Sequence, residues 1–169
     1  TEEPEKPVSN RYLIEGDTYS YQLRSNATEL QLTYFDEFKE TMTSGEDDLA
    51  TATALVKCFI ADFYTWTNKA GQYDIGGMDY VYSPSRANIY TGARYNFYKY
   101  LTDYINAYGA ENLLEVENIE IVNSYKSDHQ YDIDGTGYDC FFIVCEWTYK
   151  ETDAFDLSYF VTKEEFKVI

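Results

Sequence analysis

The eight-residue segment 132–139 has the most motif-like arrangement of acidic and glycine residues in the sequence. Calcium loops of the EF-hand type need a glycine at the sixth position and a bidentate acid at the twelfth. Counted from the start of the segment, the sixth residue is Gly137, but the twelfth is Ile143. Asp134-Gly135 is instead a strong signal for a β-hairpin turn. We therefore predict a turn here, with a weak cation site as the alternative.

His129 is the only histidine, which excludes a metal site built on several histidines. It could act as a general base if an acid oriented it. No G-x-S-x-G motif and no recognisable cysteine-protease signature supplies a nucleophile, however. The 30 acidic residues make accidental carboxylate pairs abundant, and the sequence does not select one pair. We therefore predict no catalytic residue, no metal ligand and no cofactor.

Four aromatic residues, Trp66, Tyr80, Tyr82 and Trp147, are candidates for a ligand pocket or a platform on which a sugar stacks. Their rings offer broad apolar surface, and their polar atoms can face solvent. The alternative is that they belong to the core, as most aromatic residues at such spacings do. We keep these four as the predicted ligand-binding residues.

The charge of the chain is strongly acidic, with 30 Asp and Glu against 13 Lys and Arg and a net charge of -17. Binding to nucleic acid depends on clustered basic residues, so DNA and RNA are excluded as expected partners, and anionic membrane surfaces are equally unfavourable. No run of eighteen apolar residues is present, so no membrane-spanning segment is predicted. The 19 tyrosines favour strands and half-buried surfaces.

The three cysteines, Cys58, Cys140 and Cys145, are an odd number and cannot form a complete disulfide framework. Cys140 and Cys145 lie on opposite faces of one predicted strand, so they cannot pair with each other. We predict three buried free thiols. A disulfide from Cys58 to either of the other two is the alternative.

The stretch from Asp47 to Trp66 predicts the clearest amphipathic helix of the chain. Ser44 and Asp47 fit a capping box at its start, and the segment 68–71 ends it with a late lysine and a glycine. At about 100° per residue, one broad face is apolar. That face contains Leu49, Ala52, Leu55, Val56, Phe59, Ile60, Phe63, Tyr64 and Trp66.

Small residues recur on the opposite side of this helix, at Ala54, Cys58, Ala61 and Thr65. This stripe predicts that a second element packs closely there, and the N-terminal hairpin is the candidate. The alternative is an uncharged face in solvent.

Alternating apolar residues predict an N-terminal β-hairpin from Thr18–Leu23 and Leu30–Tyr34, followed by a short helix over 35–42. Ser83-Pro84 then matches a helix start, and helical spacing continues to residue 108. Thr91-Gly92 is a candidate break in this second helical segment.

The last third of the chain predicts an antiparallel sheet. The first strand covers Leu114–Lys126, with a β-bulge near Glu117-Asn118 because its apolar residues change phase. Tyr138–Tyr149 is apolar on both faces and is predicted to be a central strand. Phe155–Val161 is predicted as the third strand, and Phe166–Ile169 as a continuation.

The domain organisation that we predict is a disordered acidic tether over residues 1–11 and a single α+β domain over 12–169. Within the domain, residues 12–46 form the hairpin and the short helix, and residues 47–169 form the helix–sheet core. A folded domain on a short polar tether fits a secreted or surface-anchored bacterial protein.

The order of elements from residue 47 onward resembles the nuclear transport factor two-like (cystatin-like α+β) superfamily. The resemblance is carried by the helix ALVKCFIADFYTW, the passage YDIGGMDYVY and the strands ENIEIVNSY, CFFIVCEWTY and LSYFV. It implies a long helix and a second helical segment on a curved antiparallel sheet, with the N-terminal hairpin as an addition. It also implies a pocket between helices and sheet, and homodimers through the sheet.

These observations favour a non-enzymatic, extracytoplasmic binding or interaction module of a bacterial surface protein or lipoprotein. Its ligand would be a small molecule, a glycan or a protein. The alternative is a small lyase, isomerase or hydrolase that uses a carboxylate in the cone between helices and sheet. That enzyme would need an acid buried among aromatic residues, with a raised pKa.

Overall fold

The structure is a computed structural model that describes residues 10–169, in which the chain folds as an α+β protein with antiparallel sheets. The helices are α1 (Glu29–Ser44), α2 (Asp48–Phe63), α3 (Arg86–Tyr95) and α4 (Leu101–Tyr108). The strands are β1 (Leu13–Glu15), β2 (Ser20–Gln22), β3 (Val116–Lys126), β4 (Tyr131–Ile133), β5 (Thr136–Tyr138), β6 (Phe141–Tyr149) and β7 (Lys163–Val168). The predicted α+β class is confirmed.

Helix α2 is the predicted central helix, but it is shorter than the sequence suggested. Its N-cap is Asp47, whose carboxylate accepts a hydrogen bond of 2.7 Å from the Ala50 N–H. The predicted cap at Ser44 is wrong, because Ser44 ends α1 and Gly45 follows in the left-handed conformation that terminates a helix. The helix ends at Phe63 instead of Trp66, and Tyr64 is its C-cap.

The small-residue stripe of α2 is buried along its whole length, as predicted. Its neighbour is α1 and not the hairpin. The Cys58 thiol donates to the Tyr34 carbonyl at 3.3 Å, and the Gln31 amide donates to the Ala61 carbonyl at 2.9 Å. Small side chains allow this close approach, so α2 is covered by the sheet on one side and by α1 on the other.

The N-terminal hairpin exists, but one of its two predicted strands is wrong. It is formed by β1 and β2, with Ile14 opposite Tyr21, whereas 30–34 lies in α1. A capping box explains the difference. The Gln31 N–H donates to the Thr28 hydroxyl at 3.3 Å, and the Thr28 N–H donates to the Gln31 side chain at 3.0 Å. The predicted short helix therefore begins at Glu29 and has 16 residues.

The main sheet has the strand order β3-β6-β7, so β6 is central as predicted. The register of β3 and β6 shifts between Val116 and Asn118, which confirms the predicted bulge. The predicted third strand over 155–161 is wrong, since this segment contains a 3-10 turn in which the Asp156 carboxylate accepts from the Ser158 N–H at 2.9 Å. The third strand is β7.

The second helical segment is broken between α3 and α4, not at Thr91-Gly92. Gly92 lies inside α3. The break places Tyr98 fully inside the core, where its hydroxyl donates to the Phe63 carbonyl at 2.5 Å. This contact ties the second helical segment to the end of α2.

The segment 132–139 forms the turn that its sequence predicts. Strands β4 and β5 pair with Ile133 opposite Thr136, and Asp134 and Gly135 connect them with φ values of 52° and 85°. Two successive positive φ values are typical of a type I′ hairpin turn, for which Asp-Gly is a preferred sequence.

The three cysteines are buried and free in the structure, which agrees with the predicted free thiols and leaves the alternative disulfide unformed. Burial raises the pKa of Cys58 and raises that of Cys145 to about 11. Both therefore stay protonated at neutral pH and behave as small apolar side chains.

Most of the predicted tether, residues 1–9, lies outside the described residues. Its last two residues contact the domain. The Asn10 side chain accepts from the Tyr12 N–H at 3.0 Å, and Arg11 forms an ion pair of 2.8 Å with Asp36 of α1. In the described range 10–169, no helix has both the length and the apolar character needed to cross a bilayer.

Candidate ligand-binding cleft

The cleft of interest has a volume of about 930 Å³ and lies on the open flank between α2 and the sheet. Five elements contribute to its lining: the β1-β2 hairpin, α2, the segment 78–89, the start of β4 and β7. Helix α2 is sandwiched between α1 and the strands β3 and β6, whereas β7 at the sheet edge leaves this flank uncovered. The cleft therefore lies at the β7 edge of the sheet.

The floor of the cleft is aromatic and is supplied by α2 and β7. Phe59 and Phe63 stack with ring centroids 5.0 Å apart, and Phe166 meets Phe59 edge-on at 5.7 Å. Tyr64 packs against Phe63 at 4.8 Å. Contacts of this kind favour fixed ring positions, so the floor is preformed.

One wall of the cleft is a stack of tyrosines. Tyr21 of β2 and Tyr80 are parallel within 15° at 5.8 Å, and Phe38 of α1 packs edge-on against Tyr21 at 5.0 Å. Tyrosine hydroxyls are protonated at neutral pH, and burial raises the pKa of Tyr21 and of Tyr80 further from neutrality. The wall thus combines apolar ring faces with phenolic donors.

The rim of the cleft carries a cluster of exposed apolar side chains. Tyr19, Tyr82, Ile89, Tyr131 and Ile169 border it, and each is exposed to at least 38%. Scattered exposed apolar residues are normal, but a concentration around a concave surface is typical of binding sites.

The charged side chains at the cleft differ in the groups that they contact. Asp79 accepts from the Gln22 N–H at 3.0 Å, which fastens the hairpin to the segment 78–89. Lys167 lies over the Tyr131 ring at 4.4 Å. Arg86 donates to the Val81 carbonyl at 3.3 Å, while its buried Nε has no hydrogen-bond partner among residues 10–169.

The structure brings two of the four predicted ligand-binding residues to this cleft. Tyr80 and Tyr82 border it, and Tyr82 is 40% exposed. Trp66 and Trp147 are each only 2% exposed and lie in the core. This placement corresponds to the alternative interpretation of the two tryptophans.

Both tryptophans have core partners that explain their burial. Trp66 packs against Phe97 at 5.0 Å and Phe160 at 5.5 Å. Trp147 packs against Tyr64 at 4.6 Å, and its indole N–H donates to the Tyr149 hydroxyl at 3.1 Å.

Sequence reasoning did not select several residues that border the cleft, including Tyr19, Tyr21, Arg86 and Phe166. The alternation of Tyr19 and Tyr21 was visible as a strand pattern, which shows that they share a face but not what that face meets. No motif or pattern in the neighbouring sequence identifies Arg86 or Phe166 as residues of a site.

A buried ion network holds the wall of the cleft in place. Asp62, near the end of α2, contacts Lys69 Nζ at 3.0 Å and Arg24 Nε at 3.3 Å through Oδ1. Its Oδ2 accepts from the Gly77 N–H at 2.8 Å. Gly77 immediately precedes the segment that carries Tyr80, so the network fixes that wall relative to α2.

Three oxygen atoms of the protein surround the Lys69 ammonium group. Besides Asp62, it donates to the Thr65 carbonyl and to Asn68 Oδ1, each at 2.8 Å. Burial lowers the pKa of Lys69 to about 8, and the Asp62 carboxylate limits this fall. Lys69 is therefore mostly charged at neutral pH but close to titration.

Asp74 completes the network through a two-pronged contact with Arg24, at 3.1 Å and 3.2 Å. Partial burial opposes ionisation of this carboxyl group, but the hydrogen bonds from Arg24 and from the Ala70 N–H outweigh it and lower the pKa of Asp74. The loop 68–77 is thus anchored to the residue that follows the hairpin.

The lone histidine and the carboxyl groups are the residues on which catalysis or metal binding would depend. His129 is exposed, in the connection between β3 and β4. The carboxyl groups with a shifted pKa, Asp74, Asp139 and Asp156, all have lowered values. They are therefore ionised at neutral pH. No group of three His, Cys, Asp or Glu side chains within residues 10–169 is placed to hold a metal ion.

A second cleft of about 840 Å³ lies on another side of the protein, beside α4 and the end of β6. Its lining is mainly polar. Glu115 accepts from the Thr67 hydroxyl at 2.8 Å and pairs with Lys150. Because these charged groups already have partners in the protein, the aromatic cleft is the stronger candidate.

Comparisons with protein-family models, with curated proteins and with solved structures give no match to this chain. The resemblance to the nuclear transport factor two-like superfamily therefore stays a prediction.

Proposed function

We propose that this protein is a non-enzymatic binding module whose ligand occupies the aromatic cleft. The observation that carries the proposal is the cleft itself, about 930 Å³ in volume, with a preformed aromatic floor and an exposed apolar rim. Ligand sites are typically concave, mostly apolar and equipped with a few convergent polar groups. Here Tyr82 and the charged side chains of Asp79 and Lys167 at the border of the cleft are those groups.

The chemistry of the cleft favours a ligand with flat apolar faces. Tyrosine rings stack on sugar rings and on aromatic or proline side chains, and their hydroxyls orient the ligand. Asp79 and Glu164 balance Arg86 and Lys167, so a ligand need not carry a high charge. A glycan, a small molecule or a protein segment with exposed rings meets these requirements.

The proposed setting is extracytoplasmic, on the surface of a bacterium or in a lipoprotein. It rests on the acidic, proline-containing segment at the start of the sequence and on the high content of tyrosine. If the superfamily resemblance holds, the module would also pair with a second copy through the face of its sheet. The aromatic cleft needs no such pairing to be complete.

Binding can be tested by ligand-observed NMR with a panel of oligosaccharides, aromatic small molecules and peptides. The test variant is Tyr82→Ala, and the matched control is Tyr159→Ala, since Tyr159 is 86% exposed and does not border the cleft. We expect Tyr82→Ala to weaken binding roughly 2- to 12-fold, because a stacked ring contributes about 0.5–1.5 kcal/mol. Tyr159→Ala should bind like the wild type.

The proposal is wrong if Tyr82→Ala and the wild type bind the same compounds equally well, since binding would then occur elsewhere. Failure of the wild-type protein to bind any compound of the panel also counts against it. Thermal unfolding of both variants controls for loss of the fold.

A further inference from the structure

Strand β7 forms one edge of the main sheet, with β6 on one side and no strand of the described chain on the other. The Trp147 N–H donates to the Thr162 carbonyl at 2.8 Å. In antiparallel sheets, hydrogen-bonded pairs alternate with pairs that are not bonded to each other. The backbone groups of Lys163, Glu165 and Lys167 therefore point away from β6 and are free to pair with another strand.

These three residues also share one face of the sheet, and their charges alternate in sign. Glu164, Phe166 and Val168 lie on the other face, which is the face of Ile143 and Cys145 that packs toward α2. An added strand would meet the charged side chains on the first face and Phe166 on the second.

A second copy of β7 fits this edge in one antiparallel register. With the two-fold axis at Phe166, Glu165 lies opposite the partner's Lys167, and Lys167 opposite the partner's Glu165. The Phe166 rings face each other on the other side. In this register the residues that exchange backbone hydrogen bonds between the two copies are Glu165 and Lys167. Their N–H and C=O groups are among those that point away from β6.

The neighbouring two-fold registers place like charges together. An axis at Glu165 sets that residue opposite its own copy, and also sets Lys163 opposite the partner's Lys167. An axis at Lys167 likewise sets that residue opposite its own copy. An axis at Glu164 sets Glu164 opposite its own copy, although it also sets Lys163 opposite the partner's Glu165. Like charges directly across strands are destabilising, whereas opposite charges stabilise the pair.

We propose that two copies of this protein associate through β7 in the register centred on Phe166, which joins their sheets into one of six strands. Charges on an edge strand commonly prevent such pairing. Here the register centred on Phe166 is the one in which charged residues of the two edges meet and every such contact joins opposite charges. The interface differs from a dimer through the sheet face, because it uses the backbone of the edge.

The dimer also affects the aromatic cleft, because Phe166, Lys167 and Ile169 border it. The partner's Phe166 would lie beside the floor of the cleft. The association itself does not depend on ligand binding and can be tested without any ligand.

The test is sedimentation velocity over a concentration series of the whole chain and four variants. Because a six-residue edge gives a small interface, we expect dimerisation in the micromolar range. Lys167→Glu sets acids opposite acids at both contacts, and Glu165→Lys sets bases opposite bases. We expect each to be monomeric at concentrations where the wild type is dimeric.

The double variant Glu165→Lys/Lys167→Glu restores opposite charges with the sign reversed, and we expect it to dimerise like the wild type. Lys163→Glu is the matched control on the same face, because Lys163 lies opposite the partner's Ile169. Lys167→Glu makes the chain more acidic, whereas Glu165→Lys makes it less acidic. If both variants lose the dimer, the cause is the local charge contact and not repulsion between two acidic proteins. Circular dichroism checks that all variants fold.

A wild-type protein that stays monomeric throughout the series would overturn the proposal and leave the edge to a different strand or to solvent. Dimers that persist in both Lys167→Glu and Glu165→Lys would also overturn it, because the contact would then lie elsewhere. Failure of the double variant to recover dimerisation would exclude the register centred on Phe166.

Discussion

The variant Asp62→Asn is expected to lose roughly 3–5 kcal/mol in its free energy of unfolding at neutral pH, which is typical when one partner of a buried ion pair is removed. The Lys69 side chain is fully buried, and its Nζ lies 3.0 Å from Asp62 Oδ1. The asparagine keeps the shape of the side chain but removes the charge. Urea denaturation followed by circular dichroism measures the loss.

The loss should depend on pH through Lys69. Burial already lowers the pKa of Lys69 from 10.5 to about 8. The unfolded chain therefore binds more protons than the folded chain in that range, and stability rises with pH there. Without the Asp62 charge the folded-state pKa falls further, so the range extends to lower pH. We expect the difference between variant and wild type to shrink as the pH rises toward about 8 and then to level off.

The matched control is Asp36→Asn, which removes the partner of Arg11 in an exposed ion pair. Exposed pairs contribute little because solvent screens them, so this variant should lose only a small fraction of the stability that Asp62→Asn loses. Equal losses in both variants, or a loss that does not change with pH, would contradict the role assigned to Asp62 and Lys69.

The variant Gly76→Ala is expected to lose on the order of 3 kcal/mol, because it overpacks a site closed by backbone. A Cβ at this position would collide with the Asp62 carbonyl oxygen, and would lie 2.6 Å from Asp62 Oδ1 and 2.7 Å from Lys69 Cε. The backbone of α2 cannot move aside as a flexible side chain can. Thermal and urea denaturation measure the loss, and the network that supports Tyr80 should be disturbed with it.

Gly92→Ala is the control for this change. Gly92 lies inside α3 with open space around its Cβ position, so alanine should raise the free energy of unfolding by about 0.5–1 kcal/mol through its higher helix propensity. If Gly76→Ala were neutral or stabilising like Gly92→Ala, the close approach of this loop to α2 would be refuted.

The sequence predicts α2 and β6 well because each has one long, unbroken pattern. The apolar face of α2 and its small stripe both follow the helical period. The stripe is buried, and the apolar face is buried except at Leu49, Leu55 and Phe59, which are half-buried. β6 has one face that is buried throughout, and apolar residues in the first half of its other face, which is partly exposed. A strand with this much apolar surface lies in the middle of a sheet and not at its edge. The packing partner of the small stripe could not be predicted, because its Cys58 and Ala61 show only that some element comes close.

The predictions of secondary structure are wrong in segments where two periodic patterns overlap, or where a strand has no apolar pattern. The segment 30–34 alternates like a strand, yet it continues into Phe35 and Phe38 at helical spacing, and the Thr28–Gln31 capping box decides for helix. The strand β7 is mostly charged because it is an edge, so it lacks the apolar alternation of a covered strand. The apolar residues of the segment 155–161 predict the third strand there instead.

The candidate site was only partly predictable, for a physical reason. A ring that lines a cleft and a ring that fills a core need the same residue types, so Tyr82 and Trp147 are equivalent in the sequence. Only the tertiary structure decides which ring lines the cleft and which ring lies in the core. The cleft forms where Tyr19 of the hairpin approaches Phe166 of β7, and these residues come from opposite ends of the chain.

The most direct test of the binding cleft is a crystallographic fragment screen of the wild-type protein. The account predicts that ring-containing fragments accumulate in the aromatic cleft, in contact with Tyr82 and above Phe166. A screen in which fragments occupy other surfaces while this cleft stays empty, or in which the protein's own side chains fill it, would contradict the account.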